Sequence, residues 1–232
     1  MAADNLIISV VICTSGFRLD SLRRALRSLA GQDINKDNFE VLVIENNNTP
    51  CGLLGGVVTE FKGALKLNYS FIRFCNLSKA RNLGARLSRA DYIAYLDDDA
   101  EATPHWVGAI TEGIRQFSPD ICGGPYTIFY NSRKPDWFKD SYSGLAPYDR
   151  GQEAKMLQGN ELLPGGNLIL RKSLVTELGG FREDLGMRAG RAGAGEETFL
   201  MRLAWLKNPG LRVFYLPGAR VRHEVRPDRM KL

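Results

Sequence analysis

Three consecutive carboxylates, Asp97-Asp98-Asp99, follow directly on the apolar run Tyr92-Ile93-Ala94-Tyr95-Leu96. Like charges this close repel unless a cation sits among them, and an all-oxygen set suits a hard divalent ion such as Mg²⁺ or Mn²⁺. The chemistry on offer is a metal-bound phosphate. A second acidic pair, Glu196-Glu197, opens a segment of helical spacing just after the glycine-rich stretch Gly186 to Gly195. Acids in a first helical turn complement the helix dipole. They also suit a general base at the lip of a cleft, where burial on substrate binding raises a carboxylate pKa towards neutrality. Arg81 precedes the Asp cluster by one helix, and His223, just past the last strands, is a candidate metal ligand. The first strand is followed by neither Gly-x-x-x-x-Gly-Lys-Ser/Thr nor Gly-x-Gly-x-x-Gly, so phosphates fall to the metal and to basic side chains.

The elements that carry these residues follow from hydrophobic spacing. A short β-branched and aromatic run ending in acids reads as a buried parallel strand, with its carboxylates at the C-terminal edge of the sheet, where open α/β folds bind ligands. Ile7 to Ile12 and Phe39 to Ile44 read the same way and end on Cys13-Thr14 and Glu45-Asn46, so all three polar groups gather along one edge. Helices are expected from Leu19 to Leu29, Val57 to Leu65 and Ser78 to Leu87, with a strand from Leu67 to Phe74. This alternation implies βαβ crossovers and a parallel sheet. Thr103 as N-cap and Pro104 at the first helical position predict a helix to about Phe117. Strands follow at Ile121 to Pro125, Thr127 to Tyr130, Gly165 to Leu170 and Arg212 to Leu216. Ser173 caps a short helix ending at Gly179-Gly180, and Glu196 to Trp205 reads as an amphipathic helix. The stretch 131 to 160 lacks periodicity, and Trp137, Phe138, Tyr142 and Tyr148 favour an ordered, ligand-facing segment.

At 232 residues the chain can bury one sizeable core. Its 31 basic and 26 acidic residues give a formal charge of +5, too small and too scattered to imply nucleic acid. Cys13, Cys51, Cys75 and Cys122 form no Cys-x-x-Cys pair and read as reduced, which points to the cytosol. No apolar stretch approaches the ~20 residues that span a bilayer. The basic residues Arg220 to Lys231 read as a loose tail or as the cut end of something longer, and such a tail suits peripheral contact at the inner face of a membrane.

Taken together, Ile8-Ser9-Val10-Val11-Ile12-Cys13-Thr14, Val43-Ile44-Glu45-Asn46-Asn47, Ala80-Arg81-Asn82-x-Gly84, Tyr95-Leu96-Asp97-Asp98-Asp99, Gly165-Gly166-Asn167, Gly179-Gly180-Phe181, Gly195-Glu196-Glu197 and Val221-Arg222-His223 resemble family 2 glycosyltransferases in order and spacing. The resemblance covers almost the whole chain. It implies an α/β fold of the GT-A type, in which residues 1–103 form a Rossmann-like nucleotide-sugar half with a mostly parallel sheet and residues 104–232 a mixed acceptor and catalytic half. It also implies a nucleoside-diphosphate-sugar donor, a sugar or lipid-linked glycan acceptor, a divalent Mn²⁺ or Mg²⁺, and inversion at the anomeric carbon.

By the same resemblance Thr14 and Glu45, with Arg18 and Asn46 nearby, hold the nucleotide, and Arg81 lies beside the base or diphosphate. Asp97 and Asp98 belong to the donor site, and Asp99 and His223 meet the metal. Gly166 and Asn167 shape the donor-sugar and acceptor pocket, Glu197 is the catalytic base, and Glu196, counted with it among the catalytic residues, is its neighbour facing the acceptor. Three departures stand out: Glu45 and Glu197 each replace a commoner Asp, and Asn76 replaces a Gly before Leu77-Ser78. In the implied reaction Glu197 takes the proton of an acceptor hydroxyl while the metal neutralises the leaving diphosphate. No general acid is needed, unlike glycoside hydrolysis. The loop Gly186 to Gly195, with Arg188 and Arg191, would close over the donor. Two rivals are a nucleotidyltransferase, for which Cys13-Thr14-Ser15-Gly16-Phe17-Arg18 is a poor triphosphate loop, and a non-catalytic sugar-nucleotide-binding module, against which Asp99 and Glu197 both stand.

Overall fold

A computed structural model of the protein describes residues 6–159, 161–187, 193 and 195–231. Strands β1 (Ile8–Thr14), β2 (Phe39–Asn46), β3 (Leu67–Ile72) and β4 (Tyr92–Leu96) alternate with helices α1 (Leu19–Ala30), α2 (Leu54–Phe61) and α3 (Leu77–Leu87). Then come β5 (Ala100–Ala102), α4 (Trp106–Phe117), β6 (Ile121–Gly123), β7 (Tyr126–Phe129), β8 (Lys155–Met156) and β9 (Asn167–Arg171). Last are α5 (Lys172–Glu177), α6 (Glu196–Lys207), β10 (Val213–Tyr215) and β11 (Val221–Glu224).

Eight strands make one sheet in the order β3-β2-β1-β4-β9-β6-β10-β8, and β5-β11-β7 make a second. The pairs β1-β2, β1-β4 and β2-β3 are parallel, whereas β9 runs antiparallel between β4 and β6. The expected halves therefore share a sheet. Both of its faces are covered. Ile8, Val10 and Ile12 enter one hydrophobic cluster with α1 and α2, and Val11 enters the other with Ile44, Ile93 and Tyr95. Strands buried on both sides take apolar residues on both faces, which is why β1, β2 and β4 read as near-continuous runs instead of alternations, and the exceptions Ser9 and Glu40 bond to each other at 2.7 Å.

Several boundaries differ from expectation. The second helix starts three residues earlier than its spacing suggested, at Leu54. The fourth begins at Trp106 and not after Thr103, because the Thr103 N–H and hydroxyl both donate to the Arg220 carbonyl, at 3.1 Å each, and leave no cap for the helix. Helix α5 starts at Lys172 with no side-chain cap, so Ser173 lies inside it. In α6 the apolar residues go all round, with Leu200, Met201 and Ala204 buried and Leu206 exposed, so it is not the amphipathic helix expected. Asn76, the departure from glycine, is the N-cap of α3, its side chain accepting from the Lys79 N–H at 3.0 Å. Arg220 to Lys231 is no loose tail: β11 is paired on both edges, and Val225 and Met230 pack with Phe138 in a small core of their own.

Candidate active site

A cleft of about 590 Å³ opens at the C-terminal ends of β1, β2 and β4. Its lining includes Cys13, Arg18, Asn46, Arg81, Asp97, Asp98, Asp99, Gly166, Glu196, Glu197 and His223, which the sequence reading had gathered. Thr14, Glu45 and Asn167 are buried and do not line it.

The turn between β4 and β5, closed by the Ala100 N–H on the Asp97 carbonyl at 3.1 Å, sends the three Asp side chains in different directions. Asp98 points back into the protein. It accepts from the Thr14 hydroxyl at 2.6 Å and from Arg18 at 2.5 Å, and burial still pushes its carboxyl up to about 6. Asp99 points towards β11, where His223 Nε2 lies 2.9 Å from its Oδ1 and 3.6 Å from Asp97 Oδ2. Burial raises the Asp99 pKa, but His223, Arg18 and Arg226 outweigh it and hold the group below the usual carboxylate range. For His223 the burial works the other way and is again outweighed, by its hydrogen bond to Asp99, so its pKa is raised. Protein cations therefore already compensate much of the charge that the sequence reading assigned wholly to a metal.

One ligand atom from each of Asp97, Asp99 and His223 lies within 4.8 Å of the others. Two carboxylates and one imidazole suit a divalent ion, so the donor set fits the metal expected. Gly166 makes the space: a Cβ there would stand 2.1 Å from Asp97 Oδ2. Its neighbour Gly165 does the same across the cleft, where a Cβ would lie 3.1 Å from Glu197 Cγ and 3.2 Å from Arg81.

The opposite wall is the first turn of α6. Glu196 is buried and accepts from Arg81 Nη1 at 2.7 Å. Burial raises its pKa against the pull of Arg81. Both acids line the cleft, and Glu197, with 24% of its side chain exposed and 3.9 Å from Arg81, is the more open of the two. Arg81 is itself buried, under the rings of Tyr95 and Phe181 and 3.8 Å from Asp97, so it joins the two walls.

Three expected residues serve elsewhere. Asn167 accepts from Trp106 Nε1 at 2.9 Å and donates to the carbonyls of Ala219 at 2.8 Å and Pro125 at 3.2 Å, tying β9 to α4 and to two turns. Glu45 accepts from the Cys51 N–H at 2.5 Å and the Tyr69 hydroxyl at 2.6 Å. Thr14 is spent on Asp98. Arg188 and Arg191 lie outside the described residues, while Met187, before them, reaches the cleft and its carbonyl accepts from the Leu77 N–H at 3.1 Å.

The cleft also contains residues the sequence did not single out: Tyr126, Leu145 to Pro147, Leu162 to Pro164, Arg226 and Arg229. The two arginines come from the segment read as a tail, whose basic composition was the only signal. Of the four irregular-stretch aromatics, Tyr148 lines the cleft, Phe138 is core, and Trp137 and Tyr142 are exposed. All four cysteines are free, and among the described residues no helix is long and apolar enough to cross a membrane.

A large, mostly parallel α/β sheet with such a cleft at the C-terminal ends of its strands is the GT-A glycosyltransferase fold. The model of glycosyl transferase family 2 matches residues 9–179, and the chain belongs to that family of sugar-transferring enzymes. It is 26% identical over 227 residues to the glucosyl-dolichyl phosphate glucuronosyltransferase of Haloferax volcanii, covering 94% of this chain and 69% of that one. It is 26% identical over 216 residues to the succinoglycan biosynthesis protein ExoM of Rhizobium meliloti, covering 90% of this chain and 69% of that one. Among solved structures, S. aureus TarS 1-349 in complex with UDP-GlcNAc matches with a TM-score of 0.74 at 19% identity over 95% of this chain. The chain spans 59% of that structure's length.

Proposed function

We propose that the chain transfers a sugar from a nucleoside-diphosphate-sugar to a hydroxyl acceptor with inversion, as one unit in which residues 1–103 hold the donor and residues 104–232 the acceptor and base. The carrying observation is that the Asp97, Asp99 and His223 group and the Glu197 carboxylate face one cleft across Gly165 and Gly166. Asp99 and His223 would hold Mn²⁺ or Mg²⁺, which when bound neutralises charge gathering on the departing diphosphate. Glu197 takes the proton of the attacking hydroxyl. Glu196 cannot share that task while Arg81 occupies it at 2.7 Å, so it orients the helix end instead. Asn46, Arg18 and the buried pair Thr14 and Asp98 shape the nucleotide side.

The relatives named for a dolichyl phosphate sugar and for succinoglycan support a glycoconjugate or polysaccharide pathway with a sugar or lipid-linked acceptor. The UDP-GlcNAc complex of the TarS neighbour makes a uridine donor the first to try. Four free thiols support a cytosolic setting, with the membrane approached at its inner face.

The test is release of nucleoside diphosphate from UDP-, GDP- and dTDP-sugars with Mn²⁺ or Mg²⁺, beside Asp99→Ala and Glu197→Ala. Metal-dependent release from one donor, lost in Asp99→Ala and reduced about 100-fold or more in Glu197→Ala, is expected. Donor binding without release, with and without candidate acceptors, would instead favour a sugar-nucleotide-binding module.

A further inference from the structure

Glu224 is a buried carboxylate that the proposed reaction does not use. It ends β11, next to His223, and its side chain turns away from the cleft towards α1. There it accepts from the Ser21 hydroxyl at 2.9 Å and pairs with Arg24, which also donates to Ser21 at 3.1 Å. Arg24 Nε lies 3.4 Å from Glu101 on β5, and Glu101 accepts from Arg222 at 2.8 Å, so the network closes over three elements.

The main chain of Glu224 touches the Asp-Asp-His group twice. Its N–H donates to the Asp99 carbonyl at 2.9 Å, and its carbonyl lies 3.1 Å from His223 Nδ1. A carbonyl only accepts, so that contact requires the proton on Nδ1 and leaves Nε2 as the nitrogen turned to Asp99 and Asp97. One residue thus fixes the ring orientation of His223 and the position of Asp99. Groups behind metal ligands govern affinity in this way. Helix α1 also begins one residue after Arg18, whose guanidinium holds Asp98, so the same helix braces the Asp turn and the His strand.

We infer that Glu224, pinned by Arg24 and Ser21, is a positioning residue for the Asp99 and His223 metal ligands. This rests on the metal reading above. The experiment titrates Mn²⁺ into the full chain, alone and with UDP, reads free Mn²⁺ by its EPR signal, and records the Mn²⁺-induced rise in melting temperature. Glu224→Gln keeps the size of the side chain and removes its charge. It should weaken Mn²⁺ about ten-fold or more and shrink the Mn²⁺-induced rise. Ser21→Ala removes two hydrogen bonds and no charge, is the milder cut and keeps the test standing if Glu224→Gln fails to fold, and should act in the same direction with a smaller effect. Arg222→Gln, at the exposed end of the network, should leave Mn²⁺ affinity as it is.

A lower melting temperature with Mn²⁺ affinity unchanged in these variants would overturn the positioning role and leave the metal reading standing. Wild-type protein that binds no Mn²⁺, or Asp99→Ala that binds it equally well, would overturn both.

Discussion

On the Asp97 to Asp99 side of the cleft, Arg18, His223 and Arg226 share three carboxylates, whereas on the α6 side Glu196 has, among the described residues, one cationic partner, Arg81, at 2.7 Å. The first wall is also laced by main chain, through the pairing of β5 with β11 and the Glu224 N–H on the Asp99 carbonyl. The second follows a left-handed glycine, Gly195, and has no side-chain cap. Among the described residues, support on one wall is distributed, and on the other it converges on a single guanidinium that also reaches back to Asp97. A cleft built this way can keep its Asp side fixed while its α6 side depends, among the described residues, on one long-range contact.

The largest effect should come from Arg81→Met. Removing one member of a buried pair leaves an uncompensated charge and costs about 3–5 kcal/mol, a fall in melting temperature of roughly 10 °C for a chain of this size. Turnover should fall with it. Adding Glu196→Leu sharpens the point: the apolar pair should recover most of the melting temperature and little of the turnover.

Arg18→Met is the matching cut on the other wall. Asp98 keeps the Thr14 hydroxyl at 2.6 Å, and its carboxyl, already near 6, can take up a proton. A cost of about 1–3 kcal/mol by denaturant unfolding is expected. A loss as large as that of Arg81→Met would break the contrast between shared and single support.

The smallest of the three is Gly166→Ala. A Cβ 2.1 Å from Asp97 Oδ2 must displace that carboxylate, so stability should fall by about 1–2 kcal/mol while Mn²⁺ affinity falls further than in Arg18→Met.

What the sequence made legible was whatever local pattern decides. Unbroken apolar runs ending in polar groups located β1, β2 and β4 and put their termini on one cleft, because strands buried on both faces carry that signature without any tertiary information. The acidic start of α6 was legible for the same reason. Pairing across distance was not. Arg81 and Glu196 are separated by 115 positions, and Arg18 and Asp98 by 80, so nothing in their neighbourhoods distinguishes a bonded arginine from a solvated one. Asn167 carried a motif, yet its side chain is consumed by the Trp106 indole of α4 and by two carbonyls of remote turns. The segment after β11 looked unstructured because its fold depends on Phe138, far back in the irregular stretch, and on the Ser143 carbonyl that Arg229 reaches.

The reversed direction of β9 bears on how the cleft is lined. Because it runs antiparallel to both β4 and β6, its first residues emerge at the edge where β4 delivers its aspartates. The chain leaves that neighbourhood after β7 and re-enters at Gly165, and in between it supplies Leu145 to Pro147, Tyr148 and Leu162 to Pro164 to the cleft. Both ends of that excursion are moored beside the Asp97 to Asp99 turn, through Tyr126 and Gly166. That excursion therefore lays residues far apart in the chain, from Leu145 to Pro164, along one wall of the cleft while its two ends stay fixed by β7 and β9.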